Sequence, residues 1–122
     1  MMFEQGELIE LDFDPTVGHE PAKRRPALVV SDGYFNNVLS SLTVVCPIAS
    51  TANGHPLHVA VAEGNPVEGC VCLEQIRALD LSAPARSAKK LGAFLDEATM
   101  TRVLDGLGDL LRPPARLRPR GG

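Results

Sequence analysis

From Glu7 to Phe94 the chain is a succession of short apolar segments, each closed by glycine, proline, asparagine or aspartate; one stretch of helical period then follows. This switch of period limits the fold to many short strands and one late helix. Over Glu7 to Phe13 the pattern alternates, with Ile9, Leu11 and Phe13 on one face and Glu10 and Asp12 on the other, as in a half-buried strand. Asp14-Pro15-Thr16 breaks it, and a polar loop runs to Arg25. Pro26 opens a second strand, Ala27 to Ser31, whose Leu28-Val29-Val30 requires burial on both faces. Further strands are expected over Leu42 to Cys46 (stopped by Pro47), Leu57 to Val61 and Gly69 to Leu73, with short ones at Ile76 to Leu79 and Leu91 to Phe94.

Asp96 then offers a helix N-cap, and Glu97 places negative charge in the first turn. Val103, Leu104, Leu107, Leu110 and Leu111 form an apolar helical stripe, weakened by Gly106 and Gly108 at roughly 1 kcal/mol each. Pro113-Pro114 end it. The expected fold is α+β and mainly β: a small barrel or strongly bent sheet with a C-terminal helix. Residues 1–111 are expected to form one domain, and 112–122 a basic, proline-rich disordered tail.

The 122 residues contain no apolar run near the ~20 that a membrane-spanning helix needs, and the N-terminus lacks the basic and apolar parts of a signal peptide. Cys46, Cys70 and Cys72 are an odd set without zinc-type pair spacing, which suggests reduced thiols in a cytoplasm. Cys70 and Cys72 share one strand face, where core packing is the plain reading. The net charge is −3, but four arginines lie between Arg112 and Gly122; the remainder carries eight bases against fifteen acids, or −7. Such a body disfavours non-specific polyanion binding, so a nucleic-acid site must be a local patch. The bases do cluster, as Lys23, Arg24 and Arg25 and as Arg77, Arg86, Lys89 and Lys90.

Several segments carry a more specific signal. They are Asp12-Phe13-Asp14-Pro15-Thr16-Val17-Gly18-His19-Glu20 followed by Arg25-Pro26-Ala27-Leu28-Val29-Val30, and Cys46-Pro47-Ile48 leading through Asn53-Gly54-His55-Pro56 to His58-Val59. A further one is Leu73-Glu74-Gln75-Ile76-Arg77-Ala78-Leu79-Asp80, with Lys90-Leu91-Gly92 behind it. In this order and spacing, from about Gly6 to Leu111, they resemble the MazF/PemK family of toxin endoribonucleases. The resemblance implies an SH3-like barrel, a homodimer, a blocking antitoxin and sequence-selective cleavage of single-stranded RNA without metal or other cofactor.

Metal-free cleavage uses the RNA's own 2′-OH as nucleophile, leaving 2′,3′-cyclic phosphate and 5′-OH ends. The protein must deprotonate that hydroxyl, protonate the leaving oxygen and stabilise charge on phosphorus. By resemblance, Arg25 stands where the family's catalytic arginine does; a guanidinium matches phosphate oxygens bidentately. His19 and Glu20 match a Gly-His-Glu loop segment, and Glu74 stands where some relatives place an aspartate base. The plain alternatives are a surface charge for Arg25, a loop-ordering hydrogen bond for His19 and a structural carboxylate for Glu74. Glu20, Lys23, Arg24, Ser50, Thr51, Gln75, Arg77 and Arg86 are expected to contact RNA, whereas His55 and His58 read as loop and strand surface. The chain departs from the family at Ala49, which replaces a phosphate-contacting threonine. A catalytically weakened or silent relative, acting through antitoxin or DNA-complex binding, and a gyrase-inhibiting toxin on the same fold therefore stand as alternatives.

Overall fold

The computed structural model describes residues 2–14, 23–51 and 54–112, with backbone alone at 14 and 23. Its elements are strands β1 (Glu7–Asp14), β2 (Lys23–Val29), β3 (Thr43–Ala49), β4 (His58–Ala60), β5 (Cys70–Cys72), β6 (Arg77–Leu79) and β7 (Lys89–Phe94), then helix α1 (Glu97–Leu111). A π-helical turn, Phe35–Leu39, and 3-10 turns at Leu73–Gln75 and Pro84–Arg86 lie between them. The strands form one antiparallel sheet in the order β4-β5-β3-β2-β1-β7, with β6 also on β3. Among the described residues the sheet does not close, so the bent-sheet form of the expectation applies. Among the described residues no helix is long and apolar enough to cross a membrane.

β3 is the central strand because its two halves have different neighbours. Thr43 to Val45 pair with β6, and Ile48 and Ala49 pair with β5. Pro47 does not stop this strand, contrary to the expectation. It sits at the end of the β2 ladder, in the gap between the β6 and β5 ladders, where a missing N–H interrupts no continuous pairing. β2 likewise begins four residues earlier than expected and runs through Pro26. Its pairing with β3 starts only at Ala27, so Lys23 to Pro26 border β1 alone, and an edge position tolerates proline.

Both faces of the sheet are buried. One carries Leu8, Leu28, Cys46, Ile48 and Val71 under Val103 and Leu107 of α1. The other carries Ile9, Leu11, Phe13, Ala27, Val29 and Val45, closed by Phe3, Leu79 and Leu81. Leu28-Val29-Val30 divide between the two faces as their apolar run requires. β1 is more than half-buried, since Leu8 is as fully enclosed as Ile9. Glu7, on that same strand, is also buried, and its carboxylate pairs with Lys90 Nζ at 3.2 Å.

α1 begins where Asp96 Oδ2 accepts from Thr99 N at 2.9 Å. Only Thr99, Val103 and Leu107 are buried on it, so Leu104, Leu110 and Leu111 extend the apolar stripe beyond what the sheet covers. Gly106 has a packing role that propensity alone hides: a Cβ there would lie 2.5 Å from Leu73 Cδ1. The absent side chain lets α1 settle against the turn that carries Glu74.

Candidate active site

The end of the β2–β3 ladder opens the site. Ala27 and Pro47 are the last pair; beyond them the strands separate around a groove of ≈ 390 Å³. Arg24, Arg25 and Pro26 line one side, and Ile48, Ala49, Ser50 and Thr51 the other. Extending the register places Ala49 opposite Arg25. Gly69 fixes the far wall, with φ +116 and no room for a side chain: its Cβ would meet Ala49 O at 1.7 Å.

The neighbouring arginines have different surroundings because successive strand residues point to opposite faces. Arg24 shares a face with Glu10 and Asp12; its Nε lies 2.6 Å from Glu10 Oε1 and its Nη1 3.4 Å from Asp12 Oδ1. Those carboxylates hold its pKa above the ordinary value, with the Glu10 hydrogen bond the main cause. Arg25, half-buried inside β2 rather than at a loop junction, pairs with Leu11. Among the described residues no carboxylate forms an ion pair with its guanidinium. A half-buried cation facing a groove with two hydroxyl side chains is an anion site.

Register places a second cluster on Arg25's face. Arg25 and Ala27 alternate along β2, Ala27 pairs with Pro47, the β3–β5 register extended by one residue brings Pro47 opposite Cys72, and Cys72 pairs with His58. Glu74 follows β5 in a 3-10 turn, and its Oε1 accepts from His58 Nε2 at 2.8 Å. Partial burial acts to raise the Glu74 pKa, but the hydrogen bond from His58, with others from its own backbone and Gln75, outweighs it and holds the carboxyl below its usual range. Glu74 is therefore ionised at neutral pH. His55 stacks on His58 with ring centroids 4.6 Å apart. Below them Cys70 and Cys72 are buried, and burial pushes the Cys72 thiol up.

Of the expected site residues, Arg25, Ser50 and Thr51 thus share one groove, and Glu74 with Gln75 lies two strands away on the same face. Arg24 also lines the groove, with its charge already matched. Arg77 lies 5.3 Å over the Phe13 ring. Arg86 Nη1 donates to the carbonyls of Asp12 (3.2 Å) and Phe13, which ties down the end of β1. His19, Glu20 and the Lys23 side chain lie outside the described residues. His58 is the functional candidate that sequence reasoning misses. Its partner is sixteen residues away, and only the β4–β5 register brings the two together.

The chain is similar to known toxins. The model of a family described as PemK-like, MazF-like toxin of type II toxin-antitoxin system matches residues 4–111. The endoribonuclease toxin ChpB of Escherichia coli K12 is 37% identical over 110 residues, covering 84% of this chain and 89% of ChpB. The endoribonuclease toxin MazF of the same strain is 34% identical over 94 residues, covering 77% and 81%. A MazE-MazF crystal structure (Form-II) from Deinococcus radiodurans superposes with a TM-score of 0.78 at 36% identity, covering 91% of this chain and 96% of that one.

Proposed function

The chain belongs to the PemK-like, MazF-like family of type II toxins, and from that premise we propose that it is a sequence-selective endoribonuclease toxin acting on single-stranded RNA. The observation that carries the reading is Arg25, a half-buried cation on a hydroxyl-lined groove with no carboxylate partner among the described residues. Arg25 grips the scissile phosphate and stabilises the charge that grows on it. Glu74, ionised and oriented by His58, takes the 2′-OH proton. β2 and β5 are two strand spacings apart, about 10 Å, room for a ribose and its phosphate between the two groups. His19 is assigned the leaving-oxygen proton by family resemblance. Ser50, Thr51 and Gln75 contact the RNA, as do Glu20 and Lys23 by resemblance. Arg24, Arg77 and Arg86 support the site mainly through their intramolecular contacts.

Ala49 favours a slowed enzyme as the second reading. It stands opposite Arg25 and presents a methyl group where the family's threonine would present a donor. The relatives solved as MazE-MazF complexes support a cognate antitoxin as partner, an acidic one because it must match the charge of Arg25. Exposed Tyr34, Val38, Leu39 and Leu42, in and beside the π-helical turn, support a homodimer. An RNA substrate and reduced thiols are in keeping with the cytoplasm.

The test is incubation of a long RNA with the protein and EDTA, followed by mapping of ends. Cuts with new 5′-OH and 2′,3′-cyclic phosphate ends are expected. Arg25→Ala should lower the rate by at least about 10²-fold. Intact RNA at micromolar wild-type protein would overturn the endoribonuclease reading.

A further inference from the structure

Strand pairing brings together metal-ligating atoms that sequence spacing keeps apart. His58 stands opposite Cys72, and Cys70 lies two residues along β5 on the same face. A ring nitrogen of His58 and the two Sγ atoms all lie within 4.8 Å of one another. A second trio, His55, His58 and Glu74, shares His58 and meets the same limit. The two trios form a graded cluster: Cys70 and Cys72 are each 1% exposed at its floor, and the Glu74 side chain is 29% exposed at its mouth. A tetrahedral zinc ion with bonds of about 2.0–2.3 Å needs ligand-to-ligand edges of roughly 3.3–3.8 Å, so a contraction of at most about 1.5 Å closes the inner trio.

We propose that Cys70 Sγ, Cys72 Sγ and the His58 imidazole form a Zn²⁺ site, and that the Glu74 carboxylate, 2.8 Å from His58 but beyond 4.8 Å from at least one of the sulfurs, turns in to close it. Two sulfurs and an imidazole select zinc over the hard cations Mg²⁺ and Ca²⁺, which prefer oxygen. The thiols make only weak contacts otherwise: Cys70 Sγ lies 3.6 Å from Thr51 O, and Cys72 Sγ 3.8 Å from Cys70 O. Binding releases one proton from each thiol to solvent. The ion enters from the Glu74 side, and Glu74 exchanges its hydrogen bond with His58 for a bond to the metal. A metal-bound Glu74 no longer accepts a proton, so zinc shuts off a nuclease that needs no metal to cut. This consequence rests on Glu74 being the base; the site itself does not.

The reduced, metal-free full-length chain is titrated with Co²⁺ and then Zn²⁺. One Co²⁺ per chain is expected, with a thiolate-to-cobalt charge-transfer band that Zn²⁺ displaces. Cys70→Ala and Cys72→Ala should each diminish that band, and the double variant should abolish it. Bound Co²⁺ without the band, no binding at micromolar ion, or undiminished binding by the folded double variant overturns the site. The wild-type spectrum decides the matter even where a variant does not fold. In the cleavage assay, Zn²⁺ should inhibit and EDTA restore the rate. Zinc bound through thiolates with cleavage unchanged would leave the Cys70–Cys72–His58 site standing and overturn the inhibition, and with it Glu74 either as fourth ligand or as base.

Discussion

Ala49 and Arg25 illustrate how one position sets the chemistry of another. They lie across the opening where β2 and β3 separate, on the same face, and Gly69 packs behind Ala49 so closely that its backbone has little freedom to shift. Ala49→Thr should therefore place a hydroxyl in the groove without moving the strand. A donor used mainly in the transition state raises rate more than affinity. The expected outcome is cleavage faster by about 10²-fold with RNA affinity nearly unchanged, checked by single-turnover rates and a binding titration. If the rate does not move, the threonine's role has passed to Ser50 or Thr51. The residue types of this site were readable from the sequence, as was the missing hydroxyl. The His58–Glu74 contact was not, because it depends on which strand lies beside β5.

At the scale of elements, α1 carries two glycines with different reasons to be there. A Cβ at Gly108 would have nothing within 4 Å, whereas one at Gly106 would meet buried Leu73 at 2.5 Å. Gly108→Ala should stabilise the fold by up to about 1 kcal/mol through helix propensity. Gly106→Ala gains the same propensity but must displace Leu73, and should destabilise by about 1–2 kcal/mol net. Urea unfolding of both variants checks the pair. The N-cap makes an acid-stability prediction. Hydrogen bonds from Thr99, then Asn65, lower the Asp96 pKa from 3.8 to about 2. A depressed carboxyl stabilises the fold fully above its unfolded value, and that contribution fades as pH falls from about 4 through 2. Asp96→Asn keeps a capping oxygen but cannot ionise, so its thermal midpoint should vary less with pH across that window. The helix, its cap and its end at Leu111 followed from sequence periodicity. The extents of β2 and β3 did not, since proline breaks a strand that is paired continuously on both sides but is permissible where, as at Pro26, only one neighbour is present or, as at Pro47, one ladder has stopped and the next has not begun.

For the whole molecule, the surface left over after folding is the informative quantity. Leu104, Leu110 and Leu111 on α1, and Tyr34, Val38, Leu39 and Leu42 around the π-helical turn, remain exposed while both faces of the sheet are covered. These exposed apolar residues support the homodimer proposed above. Light scattering at tens of micromolar should give about twice the 13.0 kDa of one chain; a 13.0 kDa particle would rule out the dimer. We propose 1–111 as the folding unit, with the four tail arginines adding salt-sensitive RNA affinity to an otherwise acidic body.

The sequence by itself determined the alternation of apolar and polar residues, the late change to helical period, the capping of α1 and the inventory of charged and nucleophilic side chains. Those are local properties, fixed by backbone geometry within a few residues. Tertiary structure alone decided which of these side chains meet. The β2–β3 register put Ala49 across from Arg25, the β4–β5 register put His58 over Cys72 and beside Glu74, and the missing Cβ of Gly106 let α1 rest against Leu73. A strand shifted by one residue would turn every one of its side chains to the other face, so strand pairing rather than composition assembled the site.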